Sequence, residues 1–223
     1  MAKVEARTGD GKNQRMAAYD RFVDALRSGT LTLGQMITQR ELAADLELSV
    51  GALRELLPLL ESEGLIQVLN QRGILLPAID LKMIRETFQF RLALEREAAS
   101  TAVETMPDET IEALRSAHRT MMDEIRRDSS ETVLVRAEGI DRAMHAALIA
   151  STGNGLLQRI YETNETRMRL INLYRHALTA QATLDAFADH LAVIEALGKR
   201  DRAGAMAAIE RHIHNARNRA VAL

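Results

Sequence analysis

The sequence predicts a mainly α-helical protein in two parts, a small N-terminal module and a C-terminal bundle of six helices. Three observations predict it. Glycine and proline number only 12 and 3 in 223 residues, too few turn formers for an all-β chain. Hydrophobic residues make up 47%, yet only four Phe, three Tyr and no Trp are among them, so Ala, Leu, Ile and Met, mostly good helix formers, build the core. Finally, from Asp80 onward the apolar residues recur with helical spacing in six segments of similar length.

The first element follows a polar, aperiodic stretch at 1–13, expected as a disordered arm. A helical pattern starts near Arg15, with Ala18, Phe22, Ala25 and Leu26 on one face, and stops at Ser28-Gly29. Thr38 and Glu41 form a capping box: the hydroxyl can take a backbone N–H and the carboxylate can reach back. It opens a short helix through Leu42, Ala43 and Leu46. Ser49 is the N-cap of a third helix, which carries Leu53, Leu56, Leu57 and Leu60 and ends at Gly64, a suitable C′ residue. Two short apolar runs around Asn70-Gln71-Arg72-Gly73 then read as a β-hairpin, closed by Pro77.

Helix, short helix, turn, helix and hairpin is the layout of a winged helix-turn-helix, placed at 14–78. In such modules the start of the third helix faces the major groove; here that is Ser49, Val50, Gly51, Ala52, Leu53 and Arg54. Arg72 at the hairpin tip is placed to touch backbone or minor groove. Pro58 removes one helical hydrogen bond and clashes with the Arg54 carbonyl, so a kink or break is expected between Leu57 and Pro58.

The second part, 79–223, reads as helices at 80–105, 108–127, 131–152, 156–177, 181–198 and 202–220, punctuated by Met106-Pro107, Asp128 to Ser130, Gly153 to Gly155, Thr179-Ala180 and Gly198 to Asp201. Short connections make this an antiparallel bundle.

Composition excludes several functions. The chain has no cysteine, which removes disulfides, thiol catalysis and Cys-ligated zinc. No apolar run reaches the roughly 18 residues of a membrane span, and no signal-peptide core opens the chain; a cytoplasmic protein with no membrane partner is expected. The net charge of −2, from 29 basic and 31 acidic residues, does not advertise nucleic-acid binding, so a DNA contact has to come from a few local Arg residues.

The bundle carries polar residues where apolar ones are expected. Asp141 and His145 interrupt the stripe Val133, Leu134, Ala137, Ile140, Met144 and Leu148, and as i, i+4 neighbours they point the same way. His190 falls in register with Phe187 and Ile194, and His212 with Ile209 and Ala216. His190 lies ten residues before the turn near residue 200 and His212 twelve after it, so at about 1.5 Å per residue they reach similar heights. One carboxylate and three imidazoles at one level suit a divalent ion, Zn²⁺, Ni²⁺, Mn²⁺ or Fe²⁺. His118, His176 and His214 are not expected as ligands.

Gly29, Leu31, Gly34, Arg40-Glu41-Leu42-Ala43, Leu48-Ser49, Arg54-Glu55, Leu57, Leu60, Glu63 to Ile66 and Arg72-Gly73 closely resemble the GntR-type bacterial transcription regulators. That resemblance implies that Arg40 and Arg54 meet phosphates or bases, assisted by Ser49, Arg72 and Gly73. Where the family usually has Arg, a small residue and Pro, this sequence has Val50, Gly51 and Ala52, so one expected basic contact is absent. Val50 can touch a thymine methyl but cannot read guanine.

Asp141-x-x-x-His145, Ser151 to Asn154, Asp189-His190 and His212 resemble the FadR-type effector domain, FCD, in its shorter VanR-like branch. This implies a metal at Asp141, His145, His190 and His212 and a small carboxylate effector. It further implies that Arg91 pairs that carboxylate, with Arg169 and Asn172 as additional effector-binding candidates; Glu95 is either part of that site or an interhelical ion-pair partner. The expected function is a ligand-responsive repressor that binds a double-stranded operator as a homodimer. The alternatives are a metal-dependent enzyme and a family member that has lost DNA binding.

Overall fold

The computed structural model describes residues 2–69, 72–174 and 179–222. It divides into two compact units, 1–79 and 80–223.

In the first unit, α1 spans Ala2–Arg27, β1 Met36–Ile37, α2 Gln39–Asp45, α3 Val50–Ser62, β2 Gln67–Leu69 and β3 Gly73–Leu75. The stretch expected as a disordered arm is therefore helical backbone from residue 2. It contains no proline, and once the turns around Phe22 are fixed each further residue adds a hydrogen bond. The core is mainly aliphatic and aromatic: Ala18, Tyr19 and Phe22 of α1, Leu42 of α2, Leu46 at its C-cap, and Leu53, Leu56 and Leu60 of α3 are buried, with α3 packed against both α1 and α2.

Both caps form as the sequence indicates. Glu41 N–H donates to Thr38 Oγ1 at 3.2 Å and Thr38 N–H to Glu41 Oε2 at 2.9 Å. Ala52 N–H donates to Ser49 Oγ at 3.2 Å. Arg21 of α1 clamps the turn between α2 and α3, donating to the Glu47 carbonyl at 2.8 Å, where Glu47 itself takes a positive φ of 51°.

Two expectations need correction. α3 runs through Pro58 without a break. Pro58 and Arg54 are exposed, so water can satisfy the carbonyl that loses its partner, while Leu53, Leu56, Leu57 and Leu60 hold the buried face. The hairpin also gains a third strand: the sheet order is β1-β3-β2, all antiparallel. β1 is only two residues long and has no periodicity to read. Its approach explains Gly73, whose φ is +110° and whose added Cβ would lie 2.8 Å from the Ile37 carbonyl oxygen.

In the second unit, α4 is Leu81–Thr105, α5 Asp108–Arg127, α6 Glu131–Ser151, α7 Gly155–Tyr174, α8 Ala180–Gly198 and α9 Arg202–Val221. Asp80, Thr179 and Asp201 cap α4, α8 and α9 through their side chains. α4 is the central helix, packed against α6, α7, α8 and α9, while α5 packs against α6 and α8. That topology turns one face each of α4, α6, α8 and α9 toward a common interior. His176, and the end expected for α7 at 177, lie outside the described residues.

Candidate functional site

The N-terminal unit presents its sequence-predicted contacts outward. Arg40, Ser49, Val50, Gly51, Arg54 and Arg72 are exposed, while Gly73 is half-buried against β1. Val50 is 47% exposed at the start of α3.

The bundle does the opposite and buries its polar residues. His145, His190 and His212 are all buried, with ring nitrogens within 4.8 Å of one another. His190 Nε2 lies 3.3 Å from His212 Nε2 and 3.4 Å from Asp141 Oδ1. Of the four residues expected to share one level, the three histidines come together, and the half-buried Asp141 meets His190 alone among them.

The surrounding bonds fix the protons. Arg91 Nε donates to Glu95 Oε1 at 2.5 Å, and His145 Nδ1 lies 2.6 Å from Glu95 Oε2. A carboxylate between two donors stays ionised: burial works to raise the Glu95 pKa, but the charge of Arg91 and the contact with His145 outweigh it and bring it from 4.5 to about 2. His145 thus carries its proton on Nδ1 and turns the Nε2 lone pair inward. Arg91 Nη2 confirms this, since it can only donate and sits 2.5 Å from His145 Nε2 and 3.4 Å from His212 Nε2. Burial opposes the charge of Arg91, yet Glu95 more than compensates and holds its pKa above the ordinary value. Burial, reinforced by the neighbouring imidazoles, pushes His190 and His212 well below the usual histidine range, so both are neutral at pH 7.

Three imidazoles thus gather their ring nitrogens, two of them 3.3 Å apart, with the Asp141 carboxylate beside His190. The Arg91 guanidinium stands against this cluster, its Nη2 2.5 Å from His145 Nε2 and 3.4 Å from His212 Nε2, so a cationic group already faces the imidazole lone pairs. Two nitrogens on one tetrahedral zinc at about 2.0 Å each would stand about 3.3 Å apart. The donor set, borderline nitrogen with one hard oxygen, fits a divalent transition ion.

A cavity of about 130 Å³ opens beside the cluster. Its wall includes Arg91, Asp141, His145 and His212, and also Arg169 and Asn172, so the three effector candidates do share one space. Sequence reasoning missed Arg142 and Arg219, which line the same cavity. Arg219 was within reach of a spacing argument, being two helical turns beyond His212. Glu95 proves to be the partner of both Arg91 and His145. His118, set aside in the sequence reading, is fully buried beside His190. His214 is half-buried and faces a different groove, with Arg85 and Arg217.

Comparison with known proteins matches both units. The family of bacterial regulatory proteins described as gntR matches residues 14–76, and the FCD domain matches residues 86–215. The HTH-type transcriptional repressor GlaR of Escherichia coli (strain K12) is 28% identical over 172 residues, covering 74% of this chain and 77% of its own. Among solved structures, E. coli McbR/YncC superposes with a TM-score of 0.70 at 19% identity, covering 90% of this chain and 93% of that one. The metal-free FCD domain of TM0439 superposes at 0.53 and 21% identity, covering 65% and 96%. The last two similarities speak for the fold alone. With a winged helix whose reading face is exposed and a helical effector domain behind it in sequence, the chain belongs to the gntR family of DNA-binding transcriptional regulators that carry an FCD domain.

Proposed function

We propose that this regulator is a repressor that responds to a small organic acid, bound beside a divalent ion held by Asp141, His145, His190 and His212. The observation that carries the reading is the buried cluster of His145, His190 and His212, with Asp141 beside His190 and the outer nitrogen of His145 tied to a carboxylate, as is usual for ligating histidines. A bound ion would supply Lewis acidity toward a carboxylate oxygen. The remaining work falls to the chain. Arg91 is aimed by Glu95, and its Nη2 edge faces the cluster and the cavity, where it can fork onto a carboxylate. Arg169 and Asn172 line the far wall and set what else the ligand must carry. The repressor GlaR supports the direction of regulation.

On the DNA side, Arg40, Arg54 and Arg72 supply phosphate or base contacts. Val50 reads a thymine methyl, with Ser49, Gly51 and Gly73 letting the backbone come close. A cytoplasmic homodimer on a palindromic operator fits such modules. The effector shifts operator binding by its differential affinity for two arrangements of the protein. An enzymatic reading is less favoured: Glu95 is ionised, bonded to both Arg91 and His145 and weakly basic, and Asp141 is assigned to the ion.

The test is metal analysis of natively purified protein, with operator-fragment binding measured with and without candidate carboxylates. We expect about one ion per chain, lost in His145→Ala, and operator affinity changed only by acids that the metal-loaded protein binds. A metal-free native protein, or DNA affinity indifferent to salt and sequence, overturns the proposal. If the native protein shows no DNA affinity and Val50→Arg creates it, the chain has lost the reading function.

A further inference from the structure

We infer that His118 is a positioning residue that decides which nitrogen of His190 carries the proton, and so whether His190 can face the cluster as a donor of electrons. Its consequence for metal binding rests on the site proposed above; the hydrogen-bond chain itself does not.

The chain begins at a backbone carbonyl. His118 Nδ1 lies 2.7 Å from the Leu114 carbonyl oxygen, one turn back on α5. A carbonyl only accepts, so Nδ1 is the protonated nitrogen. His118 is fully buried, and its two ring nitrogens meet the Leu114 carbonyl and the His190 ring, with no carboxylate among the described residues in hydrogen-bond contact to hold a second proton, so its Nε2 has only a lone pair. That lone pair meets His190 Nδ1 of α8 at 3.1 Å. His190 Nδ1 must therefore carry a hydrogen, and its Nε2 presents a lone pair toward His212 and Asp141. One fixed carbonyl on α5 sets the polarity of an imidazole on α8 through a second imidazole.

The opposite tautomer of His190 is a real competitor. With the proton on Nε2 it could donate to His212 Nε2 at 3.3 Å or Asp141 Oδ1 at 3.4 Å. That would close the cluster onto itself and remove one ligand. It is excluded because His118 would then have to turn a lone pair onto the Leu114 oxygen. A purely space-filling role does not require this polarity: His118 also packs its ring on Phe187, with centroids 4.7 Å apart, which a phenyl ring could do as well. The three ligand imidazoles are thus supported unequally. His145 leans on a carboxylate, His190 on a neutral imidazole, and His212 Nδ1 has Asp189 Oδ2 only at 3.9 Å and no hydrogen bond.

The experiment compares the wild type with His118→Phe and His118→Gln in the full-length protein. Phe keeps the ring but has no acceptor, and Gln restores an oxygen near the former Nε2. Two readouts are taken at pH 8: long-range ¹H–¹⁵N spectra of ¹⁵N-histidine-labelled, metal-free protein, and Co²⁺ titration followed by visible absorption. We expect His190 as the Nδ1–H tautomer in the wild type and a shift toward Nε2–H in His118→Phe. The Co²⁺ dissociation constant should rise about 10–100-fold in that variant, with most of the loss recovered in His118→Gln. Should His118→Phe fail to fold, His118→Leu takes its place. An unchanged His190 tautomer in the acceptor-less variant overturns the inference, as does a Gln variant no better than Phe. If the wild type itself takes up no Co²⁺, the metal proposal fails, and the tautomer spectra still decide the role of His118.

Discussion

The two units use charge in opposite ways. In the winged helix the core contains no polar side chain among its main packing residues, and Arg40, Arg54 and Arg72 stand in solvent. In the bundle Arg91, Glu95, His118, His145, His190 and His212 are all buried. On the proposed function, the difference follows from the partner. DNA is too large to enclose and is met by long, hydrated side chains on a surface. A small ion or acid can be enclosed, and enclosure raises the strength of every charge around it while making each unpaired group costly. Surface charges can therefore change without harm to the fold, whereas interior ones hold each other in place.

Glu95→Ala should break this contrast most severely. It leaves Arg91 buried without its partner and His145 without its acceptor. Breaking one side of a buried pair costs about 3–5 kcal/mol, read by urea unfolding of metal-free protein. The pH dependence follows from the same carboxylate. Its folded pKa is depressed from 4.5 to about 2, so its stabilisation is complete above about pH 4.5. It is lost as pH falls through that window toward 2, because the unfolded state binds the proton first. Glu95→Gln should flatten that part of the acid limb; an unchanged limb would show that other carboxylates produce it.

Gly73→Ala is the next largest effect. A Cβ would press on the Ile37 carbonyl at 2.8 Å with φ at +110°, so a loss of about 1–3 kcal/mol is expected, confined to the winged helix. Hydrogen exchange should show faster opening at β1 and β3 with the bundle unaffected; uniform destabilisation would contradict the separation into two units.

Arg54→Ala should scarcely touch stability, within about 0.5 kcal/mol. Operator affinity should fall by about 1–3 kcal/mol if Arg54 reads a base, or lose about one unit of salt slope if it meets a phosphate. Full affinity with an unchanged salt slope would place Arg54 outside the interface.

Much of the fold was legible because its signals are local. The Thr38–Glu41 box, the Ser49 cap and the six bundle helices each rest on residues within a few positions of one another, and the structure places them within a residue or so of the expected bounds, the end expected for α7 lying outside the described residues. Asp141 and His145 were legible as an i, i+4 pair, and His190 with His212 through similar distances from one turn. What remained hidden was not local. β1 exists only because β3 passes beside Met36–Ile37. The continuity of α3 through Pro58 depends on which side of that helix meets solvent.

The sequence by itself determined the helices, their caps, the winged-helix layout and the residue types available for a metal, because periodicity and short-range hydrogen bonding are written along the chain. Only the tertiary structure decided how those residues are wired: that Glu95 holds both Arg91 and His145, that the Arg91 guanidinium faces the imidazoles, and that a carbonyl at Leu114 reaches His190 through His118. The reason is geometric. A proton's position on an imidazole depends on the atom facing its other nitrogen, and here that atom comes from a helix dozens of residues away.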